Sequence, residues 1–208
     1  MAIVKIKNEL LEQKKTKFKG NLYHYSQVNF AYNSNKIEES HLTKNETEEI
    51  FENNSFIPKD NEVIRFDDLI EMKNHFRLFD YILDIIADDL TKENIMEMNK
   101  ILKRNASYED NPRYNIRGFK IVPNKIGLIN VIETTHPNDV EKEMDELLNW
   151  YNNLKSITLE DIIEFHFRFE KIHPFGDGNG RVGRIIMFKE CLKNNIMPFI
   201  ILDIDKTY

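Results

Sequence analysis

His173-Pro-Phe-Gly-Asp-Gly-Asn-Gly-Arg-Val-Gly-Arg184 holds four of the chain's seven glycines and sets a histidine, a carboxylate, an asparagine and two arginines around them. Glycine at alternate positions (Gly176, Gly178, Gly180) costs backbone entropy and removes side-chain packing. Such a run belongs where the backbone bends tightly and its N–H groups face a ligand. Apolar residues resume at Val182, Ile185, Ile186 and Leu192, the spacing of a helix that begins near Asn179. The loop therefore feeds a helix N-terminus, where unbonded amides and the positive end of the dipole form an anion site. Arg181 and Arg184 stand three residues apart and share a helix face, and two guanidinium forks beside such amides suit a polyphosphate. Asp177 among these cations is most simply explained as a ligand for Mg²⁺ carried in by the phosphates. His173, whose imidazole can accept a proton, is the candidate general base. This is the chemistry of phosphoryl or nucleotidyl transfer. A plain surface turn would leave the flanking residues unexplained. A P-loop is excluded because no Gly-Lys-Ser/Thr follows any glycine, and the helical pattern ahead of the glycines argues against a dinucleotide-binding βαβ unit.

Outward from the loop the periodicity is helical. Thr158 with Asp161 signals a start, and Leu159, Ile162, Phe165, Phe169 and Ile172 form one face of a helix that delivers His173 and stops at Pro174. Leu69, Met72, Phe76, Phe79, Leu83 and Ile86 repeat similarly, as do Val140, Met144, Leu147, Tyr151 and Leu154, and these stripes are core. Thr43 with Glu46 and Pro137 mark further starts. Ile116 to Val122 and Gly127 to Ile132, either side of Pro123-Asn124-Lys125, predict a hairpin. Residues 52–62 are expected as a polar loop, and the segment with Lys14, Lys15, Lys17 and Lys19 as solvated. His166, Glu170 and His173 fall at i, i+4 and i+7 and could be taken for a zinc site. That reading leaves the glycines and arginines without a purpose, so His166 is expected to be a satisfied packing residue.

At 208 residues and 41% hydrophobic, with no Pro/Gly/Ser-rich linker, the expectation is a single domain over residues 1–208. A net charge of −6 and a pI near 5.6 disfavour a nucleic-acid surface. The lone Cys191 supports no internal disulfide, in keeping with a cytoplasmic location. The N-terminus lacks a secretory apolar run, and the apolar stretch near Ile196 to Leu202 is too short to span a membrane.

The stretch His173 to Arg184 matches H-P-F-x-[DE]-G-N-G-R-x-x-R at every defined position and so resembles the signature of the Fic family (filamentation induced by cyclic AMP). The resemblance implies an all-α Fic fold, a helical bundle with a small β-hairpin flap. It implies a protein adenylyltransferase that moves AMP from ATP to a Ser, Thr or Tyr hydroxyl of a target protein, itself included, and releases pyrophosphate. His173 would deprotonate the hydroxyl, and Asp177 would hold Mg²⁺ between the α- and β-phosphates. The amides around Gly176, Gly178 and Gly180, with Asn179, would form the anion hole, and Arg181 and Arg184 would take the β- and γ-phosphates. Gly180, where kinase-like relatives have Lys, favours AMP transfer over phosphate transfer.

Ser34-Asn-Lys-Ile-Glu38 is similar to the family's [ST]-x-x-x-E-[GN] inhibitory motif. Residues i and i+4 share a helix face, so Ser34 and Glu38 would be presented together. The resemblance implies an N-terminal inhibitory helix over about residues 23–40, with Glu38 pairing with Arg184 and hindering productive γ-phosphate binding. Glu39 stands where the family has Gly or Asn, residues that end helices in the left-handed conformation. The predicted hairpin resembles the flap that adds a target segment as a strand. The alternatives are removal of AMP, with Glu38 orienting a water, and a nucleotide-sensing module with weak catalysis. The stop soon after Asp205 is abrupt for the family and suggests a shortened C-terminus.

Overall fold

The computed structural model describes residues 2–58, 63–127 and 131–205. Among them are eight α-helices: α1 (Ala2–Thr16), α2 (Leu22–Ile37), α3 (Lys44–Asn53), α4 (Phe66–Asp84), α5 (Lys92–Lys103), α6 (Pro137–Asn152), α7 (Leu159–Ile172) and α8 (Asn179–Lys193). Two short strands, β1 (Lys125–Ile126) and β2 (Ile132–Glu133), pair antiparallel, and a 3₁₀ turn covers Asp203–Asp205. The expected all-α bundle with a small hairpin is what the chain forms.

The helix starts follow local chemistry. Thr43, Thr91 and Thr158 each close a capping box, with Glu46, Asn94 and Asp161, and Pro137 takes the first position of α6. Each apolar stripe then turns inward. Met72, Phe79 and Leu83 of α4, Val140, Met144, Leu147 and Tyr151 of α6, and Ile162, Phe165 and Phe169 of α7 are at most 1% exposed. Leu159 departs from its expected face and is partly exposed, because it sits in the first turn of α7, ahead of the packed stripe. Truncating one of these aromatic side chains to alanine would cost about 3–5 kcal/mol.

Helix α8 runs through the middle of the bundle. It packs against α7, α4, α2, α5 and α1, and every residue from Arg181 to Leu192 is buried. A helix surrounded on all sides has no polar face to spare, so its buried ions pair locally. Lys189 donates to Glu190 (2.7 Å) and to the Asp88 carbonyl (2.7 Å), and Tyr151 donates to Glu190 (3.0 Å). Burial pushes the Cys191 thiol up to about 11.

One expectation holds in part and one needs correction. In the lysine-rich N-terminal segment Lys15, Lys17 and Lys19 are exposed as expected, but Lys14 lies on α1 and donates to the Asp80 carbonyl (2.7 Å) and to Asp84 (2.5 Å), while Leu10 enters the core. The hairpin is displaced. Lys125 pairs with Glu133 and Ile126 with Ile132, so Pro123-Asn124 precedes the first strand and Ile116 to Val122 forms turns. Those turns are drawn away from strand pairing because Lys120 and Asn124 bond instead to the loop of residues 172–175. Residues 128–130 of the expected second strand lie outside the described residues.

Candidate active site

The site is built where α7 ends and α8 begins. His173 is the C-cap of α7 at φ +51°, and its amide donates to the Phe169 carbonyl (2.8 Å). Its Nδ1 lies 3.3 Å from the Glu170 carbonyl, which leaves Nε2 as the nitrogen free of that contact. Asn179 folds the loop back on itself: its Oδ1 accepts from the Phe175 amide (2.8 Å), and its Nδ2 donates to the Phe175 carbonyl (2.9 Å). The Asn179 side chain is therefore spent on the loop. Gly178, the N-cap of α8, has φ +90°, a conformation in which a side chain would be strained.

Asp177 faces three donors. Its Oδ2 takes Lys103 Nζ (2.5 Å) and lies 3.9 Å from Arg181 Nη2, and its Oδ1 accepts from the Gly178 amide (2.7 Å). Burial alone would raise its carboxyl, but Lys103, Arg181 and those hydrogen bonds hold it down at about 2. About a third of the side chain remains exposed, so an ionised carboxylate is presented at the mouth of the loop. Such an oxygen donor suits a hard cation such as Mg²⁺.

Glu71, on α4, joins the two buried cations, since both Lys103 and Arg181 bond to it. Arg181 also donates to Asn35 of α2 (3.2 Å). Burial opposes its charge, but Glu71, Asp177 and Glu38 together raise the Arg181 pKa. His75 lies fully buried beside the same arginines. Burial, then Arg181 and Arg184, push it down to about 3, so it stays neutral and adds no positive charge there.

The geometry also brings Ser34 and Glu38 to this site. Arg184 Nε donates to Ser34 Oγ (3.0 Å), and its Nη2 donates both to the Ser34 carbonyl (2.9 Å) and to Glu38 Oε1 (2.7 Å). Burial would raise the Glu38 carboxyl, yet Arg184 and then Arg181 outweigh it and lower it. Glu38 caps α2, and Glu39 takes the left-handed conformation at φ +67°, with its amide on the Lys36 carbonyl (2.9 Å). Glutamate thus adopts the helix-ending geometry that Gly or Asn would take more readily. Gly180 makes the close approach possible: a methyl group there would collide with Glu38 Oε1 and stand 2.9 Å from Arg184 Nη1.

All the residues picked from the motif gather here with Ser34 and Glu38. Lys103, Glu71, Asn35 and Lys120 join them without having been foreseen; in the sequence each looks like an ordinary polar residue of a helix or turn, and only its burial in the fold marks it out. His166 is not the satisfied packing residue expected. Its Nδ1 and Glu170 Oε1 are buried without hydrogen-bond partners, crowded against Gly183. Among the described residues the metal-capable cluster is His24, Glu48 and Glu52, not this triad. It lies at the opposite end of α2 from Glu38, and Lys19 already bonds to Glu52 (2.6 Å).

Residues 89–191 match the model of the Fic/DOC family. The chain is 24% identical over 180 residues to "Protein adenylyltransferase fic-1" of Caenorhabditis elegans, covering 83% of this chain and 33% of that protein. It is 26% identical over 179 residues to "Protein adenylyltransferase Fic" of Nematostella vectensis, covering 82% and 38%. The chain thus spans about a third of the length of these relatives. Its backbone resembles that of a Fic-domain-containing signalling protein from Bacteroides thetaiotaomicron with a TM-score of 0.78 at 23% identity, over 96% of this chain and 77% of that one. No helix among the described residues is long and apolar enough to cross a membrane.

Proposed function

We propose an activity for this chain from one premise: through residues 89–191 it belongs to the Fic/DOC family. The chain transfers AMP from ATP to a protein hydroxyl. The hydroxyl oxygen attacks the α-phosphorus, the bond to the bridging oxygen of the β-phosphate breaks, and pyrophosphate leaves. The hydroxyl proton passes to His173 Nε2, the nitrogen left free by the Nδ1 contact with the Glu170 carbonyl. The amides at the start of α8 receive phosphate oxygens, and Arg181 and Arg184 neutralise the terminal phosphates. Asp177 would hold Mg²⁺, which would supply charge neutralisation for the phosphates. The ionised, partly exposed state of Asp177 supports that assignment.

Glu38 restrains the reaction. The observation that carries this reading is the double engagement of Arg184 by Ser34 and Glu38, which occupies the guanidinium that the terminal phosphate needs. Removing a buried charge-assisted contact of about 1.5–3 kcal/mol should raise the competent population roughly ten- to a hundredfold. Glu38→Gly and the shape-preserving Glu38→Gln, incubated with Mg²⁺ and α-labelled ATP, should label themselves or lysate proteins faster than the wild type by that factor. Equal labelling by all three would overturn the restraint. Absence of His173-dependent labelling in every variant would overturn AMP transfer itself.

A further inference from the structure

Lys120 is 2% exposed, and its ammonium finds an oxygen for each of its three protons: Asn124 Oδ1 (2.7 Å), Thr134 Oγ1 (2.8 Å) and the Ile172 carbonyl (3.1 Å). Asn124 stands immediately before β1 and Thr134 immediately after β2, so two of these bonds clamp the two ends of the hairpin together. Thr134 Oγ1 donates in turn to the Asn124 carbonyl (2.8 Å), closing the clamp. The third bond leaves the hairpin for the end of α7. The Lys120 amide donates to the Pro174 carbonyl (2.7 Å), and Asn124 Nδ2 donates to the Phe175 carbonyl (2.9 Å). The base of the hairpin is thereby bonded to the carbonyls of Ile172, Pro174 and Phe175, which bracket His173.

The hairpin has little else to hold it among its described residues. Its ladder pairs two residues on each side, its Lys125–Glu133 ion pair (2.6 Å) is exposed, and Ile121, Val131 and Ile132 are 58, 47 and 55% exposed. An exposed ion pair contributes about 0–1 kcal/mol, and a two-stranded ribbon is marginal by itself. Burying an ammonium is unfavourable unless hydrogen bonds compensate it. Burial pushes Lys120 down to about 8, with Glu143 opposing. A methionine would fill the same space without that cost, so packing alone does not account for a lysine here.

We propose that Lys120 is a positioning residue: it sets where the hairpin stands relative to His173 by tying both hairpin ends to the chain on either side of that histidine. The inference rests on the AMP-transfer reading for what the positioning achieves, namely the presentation of a target hydroxyl at His173. The mechanical coupling can be measured without activity. Lys120→Met severs all three side-chain bonds, and Thr134→Val severs the Lys120 bond to the hairpin exit together with the Thr134–Asn124 bonds, leaving Lys120 tied to Asn124 and Ile172. Amide hydrogen exchange followed by mass spectrometry should show residues 121–127 and 131–134 exchanging at least about tenfold faster in both variants, with α4 and α8 unchanged. On a Glu38→Gly background the Lys120→Met change should lower self-labelling while the Kd for Mg·ATP, measured by titration calorimetry, stays the same. Unchanged hairpin exchange in both variants would overturn the proposal. Faster exchange spread evenly over the chain would do so too, since Lys120 would then be a general core bond. A Glu38→Gly protein that never labels would sink the AMP-transfer reading and leave the exchange result to decide the coupling.

Discussion

His173 sits where a helix stops. Its left-handed φ of +51° costs a non-glycine residue about 1–2 kcal/mol, and that cost is borne by the packed helix on one side and the Asn179-locked loop on the other. Such over-determination fixes the ring through contacts within the protein. His173→Ala should therefore lower AMP transfer by about 10²–10⁴-fold with no change in ATP affinity by calorimetry; an ordinary rate in that variant would exclude it as the base. Gly180 makes a second residue-level test. Gly180→Ala places a methyl group against Glu38 Oε1 and Arg184, so a double-mutant cycle between Glu38 and Arg184 should yield a coupling energy near zero in that background and about 1.5–3 kcal/mol otherwise. An undiminished coupling would mean the two groups do not depend on that gap.

The elements show what the sequence makes legible. Helices α4, α6 and α7 announce themselves because their stripes, with the Pro137 start of α6 and the Thr158 start of α7, are local signals, and the motif does so because its chemistry is contiguous. Helix α1 does not, since its lysines suggest solvent until Asp80 and Asp84 arrive from α4. The hairpin register escapes for the same reason. Pro123-Asn124 has turn composition, yet Asn124 is claimed by Phe175. Lys103 and Glu71 gain their meaning only when α5 and α4 converge on α8. A local signal also predicts a local cost: Thr158→Ala removes the capping box of α7 and should destabilise the protein by about 1 kcal/mol in urea unfolding. A loss under a few tenths of that would assign the start of α7 to packing alone.

On the scale of the whole molecule, Glu71 is the counter-ion for two buried cations from two other helices. Removing one partner of a buried ionic cluster leaves charge uncompensated. Glu71→Ala should thus cost about 3–5 kcal/mol, read as a lower denaturation midpoint with the same slope. The network also sets a response to acid. Asp177 is held at about 2 against an ordinary 3.8. A carboxyl lowered on folding contributes its stability in full above the ordinary value and loses it as the pH falls through the folded one. The melting temperature of the wild type should accordingly drop between about pH 4 and pH 2 more steeply than that of Asp177→Asn. Parallel curves would show that Asp177 gains nothing from Lys103.

The bonds from Arg184 to Ser34 join residues 150 positions apart. During synthesis at about 5–20 residues per second, α2 would leave the ribosome on the order of ten seconds before the arginine it is to hold exists. Ser34 and Asn35, which end up buried, must wait in water for that interval. The contacts of Arg184 with Ser34 and Glu38 are consequently among the last features the nascent chain can complete. A chain cut short before α8 would carry Ser34 and Glu38 with no Arg184 to hold.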